Sequence, residues 1–246
     1  SMRYDNFSGR NMTGSAFIQT QRLPFDIVED SLNHAGTKHR DTYNLMGALS
    51  WELYKGIALG AKVDFTAANA AKYKDLRHKT KLMDLALTTG VYVPLQAVSL
   101  GLNYTYRRNT ESVVFSTYAS NAQEFSSYIN YGPWIGKTEQ FSSSGFTDSN
   151  REQPMLNEYH GLGLQFSWDI LPNLSWFNNF GGTYRKGYYG RKSPYTIVHS
   201  DHHSNIYDYH SRLSLTLDKQ IHHLDFSFSS ENLVNEMNAY RSNKNE

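Results

Sequence analysis

Between Tyr43 and Phe65 apolar and polar residues alternate with period two, a pattern that a strand can place on two faces and a helix cannot. Tyr43, Leu45, Leu49, Trp51 and Leu53 fall on one parity, and Asn44, Ala48, Ser50 and Glu52 on the other. Beyond Tyr54, Lys55 and Gly56 the chain returns with Ile57, Leu59, Ala61, Val63 and Phe65 against Ala58, Gly60, Lys62, Asp64 and Thr66. Successive strand side chains point to opposite faces, so this is an antiparallel hairpin with one apolar and one polar side. The unit recurs from Leu85 to Tyr106, from Leu162 to Tyr184 and from Leu213 to Phe228, which makes eight strands. Met2 to Phe7 reads as the tail of a further strand.

The connections sort by length. Those around Lys55, Leu95, Pro172 and Lys219 are short, whereas 67–81, 111–156 and 187–204 read as long polar loops and 8–42 as irregular chain. Short turns at one rim and long loops at the other are the habit of outer-membrane barrels. The polar parity carries Ser50, Gly60, Gly90, Ser99, Gly101, Gly161, Gly163 and Ser167 rather than the Lys and Glu of a water-facing surface. Aromatics make up 14% of the chain, enough for two belts. Trp51, Trp168 and Trp176 sit near the short turns, and Tyr104, Tyr106, Tyr184, Tyr188, Tyr207 and Tyr209 toward the long loops, as headgroup girdles require. The expectation is an all-β, antiparallel up-and-down transmembrane β-barrel, with 1–246 a single barrel domain or a barrel fragment and 111–156 a long extracellular loop. Lys62, Asp64, Asp84, Arg107 and Arg212 would then face the lumen, and Trp134, Phe141 and Phe146 would be the ligand-contact aromatics of the long loop.

Several chemistries lack support. A net charge of +1 offers no field for nucleic acid, and the absence of cysteine rules out disulfides and thiolate metal sites. No run of about eighteen apolar residues exists, so no helix of this chain would span a membrane. Gly161, Leu162 and Gly163 lie inside a strand pattern, not in a phosphate-binding loop. The basic run Lys72, Lys74, Arg77, Lys79 and Lys81 reads as a solvated loop. His160 shares the parity of Leu162 while Ser167 has the opposite one, which leaves lipid hydrolysis without a nucleophile. His199, Asp201, His202 and His203 offer imidazole and carboxylate ligands, but no regular spacing fixes their geometry. No metal and no cofactor is expected.

Specific runs carry a resemblance. Asn11 to Ile18 (NMTGSAFI), Leu76 to His78 (LRH), Tyr106 to Glu111 (YRRNTE), Gly136 to Phe141 (GKTEQF), Asn157 to Gly161 (NEYHG) and Arg185 to Gly190 (RKGYYG) resemble an uncharacterised family of outer-membrane β-barrel proteins from Bacteroides-type bacteria. The chain resembles the central part of a longer member. The resemblance implies an outer-membrane location and contact with outer-membrane lipid. It also implies a setting beside a TonB-dependent receptor or surface lipoprotein in nutrient or iron-complex uptake, and it supplies no catalytic residue. The expected function is therefore non-enzymatic ligand binding or transport at the cell surface. The alternatives are an outer-membrane enzyme acting on lipid or glycan, and a soluble β-barrel with an apolar ligand inside.

Overall fold

The computed structural model describes residues 1–19, 25–29, 34–118, 124–132, 135–141, 147, 153–191 and 197–237. In chain order the strands are β1 (Met2–Met12), β2 (Asp26–Glu29), β3 (Gly36–Tyr54), β4 (Ile57–Lys72), β5 (Arg77–Leu95), β6 (Val98–Ser116), β7 (Phe125–Gly132), β8 (Ile135–Phe141), β9 (Gln153–Leu171), β10 (Leu174–Arg191), β11 (Ile197–Leu217) and β12 (Gln220–Met237). Nine of them form one antiparallel meander in the order β1-β3-β4-β5-β6-β9-β10-β11-β12, and β2, β7 and β8 form a second, three-stranded sheet. The expected all-β, up-and-down architecture is thus present, and β1, paired to β3 from Met2 onward, is the fragment read before the eight strands. The sheet is open: among the described residues β1 and β12 are its two edges.

The first hairpin turn illustrates how local chemistry sets the register. Lys55 and Gly56 both take positive φ, 51° and 81°, the conformation whose twist matches that of flanking strands. A Cβ at Gly56 would meet Pro94 Cγ at 2.8 Å, so glycine is also needed for close approach to the neighbouring turn.

Register aligns the alternation across the sheet. Trp51, Leu59, Val91, Leu102, Leu164, Phe180, Tyr209 and Phe228 are successive cross-strand partners from β3 to β12, forming one apolar row. One residue along, Ser50, Gly60, Gly90, Asn103, Gly163, Gly181, Asp208 and Ser229 form a row on the opposite face, small or polar throughout. The apolar face is uncovered: Trp51 is 73% exposed, Leu162 61% and Phe226 58%.

The buried core lies on the polar-parity face instead, at the end opposite the short turns. There Val113, Phe115, Met155 and Tyr189 replace polar residues and pack against Ala16, Phe17, Phe25, Ile27, Phe125 and Ile129 of the small sheet and its approach. Phe25 stacks on Tyr189 with ring centroids 3.7 Å apart.

Four stretches read as loops or irregular chain contain strand. β4 and β5 leave only 73–76 between them, β10 and β11 extend to Arg191 and from Ile197, and 8–42 holds the end of β1, all of β2 and the start of β3. The stretch 111–156 contains the end of β6, all of β7 and β8, and the start of β9. In these extensions both faces carry polar residues or the cap-facing side turns apolar, so alternation fades while the backbone ladder continues.

Candidate functional site

The small sheet is fastened to the polar face by a carboxylate. β2 ends at Glu29, and the side chains that meet it come from three successive strands of the wall. Lys38 of β3 and Lys72 of β4 are cross-strand partners, and both form ion pairs with Glu29. His78 of β5 places Nε2 3.1 Å from Glu29 Oε1, and its Nδ1 lies 3.2 Å from Thr80 Oγ1. The Thr80 hydroxyl donates to the Ala16 carbonyl at 2.7 Å, and Lys38 Nζ donates to the Ser15 carbonyl at 3.2 Å. Glu29, Lys72 and His78 are all buried.

Burial alone would raise the Glu29 pKa. The hydrogen bond from His78 and the positive charges around the carboxylate outweigh it and hold the group at about 2. Burial pushes His78 down against the pull of Glu29. The Glu29 carboxylate can only accept, so His78 donates through Nε2.

A second anchor runs into the wall. Glu111, fully buried on β6, accepts the Ile18 backbone N–H, and the Gln19 amide donates to Asn109 Oδ1 at 3.1 Å. Asn109 in turn donates to Asp84 Oδ2 at 3.1 Å, and Asp84 receives Arg107 through Nε at 2.8 Å and Nη2 at 2.5 Å. The capping segment is therefore wired to two of the charged residues singled out in the sequence.

All five of those residues lie on the polar face, and each is paired along one strand or to the next. Lys62 sits 2.7 Å from Asp64, Arg107 grips Asp84, and Arg212 lies 2.7 Å from Asp225. Sequence reading missed what stands beside them. The Tyr159 ring lies between two guanidiniums, Arg107 at 5.0 Å and Arg185 at 6.0 Å, and Arg185 reaches Glu231 at 3.0 Å. His202 Nε2 is 2.6 Å from Asn157 Oδ1. Burial, then the charges of Arg185 and His203, hold His202 at about 4. The sequence named Lys72 in a solvated basic run and His202 among the metal candidates; extending the hairpin parity upward would have placed both, with His78 and Arg185, on the polar face, because the alternation of faces continues where the alternation of polarity stops.

The weak metal candidates do not converge. Asp201 and His203 share a parity on β11 and His202 has the opposite one, so the strand sends them to different faces. The His199 side chain falls outside the described residues, and among the described residues no group of three ligands could hold an ion. Trp134 and Phe146 also fall outside the described residues; Phe141 is in β8, opposite Phe125, with its side chain undescribed. His160, on the apolar face, has its Nδ1 2.7 Å from the Tyr104 hydroxyl.

Comparison with protein families gives a match over residues 31–246 to DUF6850, a family of unknown function. The chain belongs to the DUF6850 family. The DUF6850 match takes in β3 to β12, hence Lys38, Lys72, His78, Asp84 and Arg107, while Glu29 lies just before it. No curated protein and no solved structure matches the chain.

Proposed function

We propose that the nine strands are wall of an outer-membrane β-barrel, with the apolar face in lipid, the polar face toward a lumen and the small sheet capping that lumen at the cell-surface end. The role is non-enzymatic: binding or passing a solute at the surface, in the setting of a TonB-dependent receptor or surface lipoprotein of a Bacteroides-type bacterium. One observation carries the reading. The small sheet covers the polar parity, so the apolar parity faces outward and remains bare across the wall. A soluble barrel with an apolar ligand would need the reverse.

Dimensions support it. From Tyr43 to Leu53 the apolar stretch of β3 runs about 33 Å along the strand, which at the usual tilt is a band about 25 Å tall, the height of a barrel's lipid-facing belt. Glu29, His78 and His202 lie beyond the band on the cap side.

Adjacent residues test the assignment. Leu49→Arg places a cation on the outward face and should disfavour insertion by about 2–4 kcal/mol, whereas Ser50→Arg should insert normally. Insertion is followed by far-UV circular dichroism and by heat-dependent gel mobility, with and without micelles. Stable monomeric β structure in plain buffer, or equal behaviour of the two variants, would overturn the reading.

A further inference from the structure

We infer that the outward face holds a binding groove for a phosphate-bearing membrane lipid, with an acyl chain lying across Ala61 and Thr89 and the headgroup at Lys81 and Arg108. This rests on the membrane reading above. The groove follows from one row of the register, in which Leu49, Ala61, Thr89, Tyr104 and Leu162 are successive partners. The two middle positions are small and the flanks bulky, so the surface is notched. With Trp51 and Leu102 the row bounds a groove of about 560 Å³, within the size range of small-ligand sites. Its walls are almost wholly apolar.

The cap-side edge of the same two central strands is basic. Arg108 stands four residues beyond Tyr104 on β6, about 13 Å along the strand. Lys81 stands four residues beyond Leu85, the partner of Arg108, and Lys79 follows on the same face. All three are exposed. Glu158, the register partner of Arg108, pairs instead with Lys186 at 3.4 Å, so among the described residues Arg108, Lys79 and Lys81 have no ion pair. A chain hanging from a phosphate at Arg108 reaches the notch within one leaflet. Unpaired cations above a hydrocarbon groove fit an anionic lipid. A soluble ligand would have no route to a notch within the apolar belt.

The test uses the full chain in micelles, with phosphatidylglycerol or phosphatidylcholine of identical acyl chains added and retained lipid counted by native mass spectrometry. Far-UV circular dichroism is recorded before lipid is added. Wild type should retain phosphatidylglycerol about tenfold better, a preference that Lys81→Glu with Arg108→Glu removes. Ala61→Phe, which fills the notch and leaves the charges, should lower retention, and the milder Thr89→Leu should lower it part-way if Ala61→Phe misfolds. Equal retention of the two lipids, or phosphatidylglycerol retention untouched by both groove variants, overturns the site while the membrane reading stands. No β structure in micelles overturns both.

Discussion

Replacing Glu29 by Gln removes the counter-ion of Lys38 and Lys72 while keeping the side chain's shape and an acceptor oxygen for His78. The carboxyl sits at about 2 instead of its ordinary 4.5, which at 1.36 kcal/mol per pH unit makes the ionised group worth about 3 kcal/mol where it stands. Leaving Lys72 buried without a counter-ion makes about 3–5 kcal/mol the reasonable range. The loss falls on the attachment of the small sheet, because the nine-stranded ladder does not depend on Glu29. Hydrogen exchange read by mass spectrometry should therefore show amides of β2 and β7 exchanging about 200-fold faster or more, since 3 kcal/mol divided by 1.36 is just over two decades. Amides in the middle of β5 and β6 should keep wild-type rates. Combining Glu29→Met with Lys72→Met should be milder than Glu29→Gln, since no deeply buried ammonium is left unpaired. Unchanged exchange in β2, or equal acceleration in β5, would refute the idea that this carboxylate latches a separable cap.

Acid should loosen the same end of the molecule. His202, held at about 4 against an ordinary 6.5, must stay neutral in the folded state, so its contribution is intact above 6.5 and is lost as pH falls from there to 4, about 3 kcal/mol in all. Glu29, also depressed, adds its loss between 4.5 and 2; exchange followed against pH in β2 for Glu29, and in β10 and β11 around His202 with His202→Asn removing the upper part of that profile, checks both. Gly187→Ala should destabilise by about 1–3 kcal/mol, because its Cβ would lie 2.4 Å from the Leu156 carbonyl and 2.5 Å from His202 Nε2. Gly182→Ala, with nothing within 4 Å of the added carbon, should be nearly neutral, and thermal melts in micelles compare the two.

Much of the wall was legible because Leu, Trp and Phe alternate with Ser, Gly and Asn over whole hairpins, and a one-residue slip would reverse every face. The strand extensions toward the cap were not, since Lys72, His78, Asn109 and Glu111 are polar residues met by the small sheet or the segment leading to it, and periodicity of polarity reports burial only where water or lipid is the alternative. The charges Lys62, Asp64, Asp84, Arg107 and Arg212 were found by parity alone. Their partners were not all legible: Asn109 lies where the alternation of polarity has faded, and Tyr159 is brought to Arg107 by the pairing of β6 with β9, which are far apart in the chain. β2 was invisible for a different reason: four residues have too short a pattern to register, and their strand partner lies beyond four intervening wall strands.

That last separation has a bearing on the order in which the protein takes shape. Most neighbours in the meander are consecutive hairpins, whose closure is local and fast, whereas β2 pairs with β7 between Asp26 and Asn130 and must wait for the intervening chain to be placed. Glu29, by contrast, joins β2 to β3, β4 and β5, whose partners Lys38, Lys72 and His78 lie much nearer in the chain. The hairpins of the large sheet therefore close over short stretches of chain, while the small sheet joins segments that are distant in sequence.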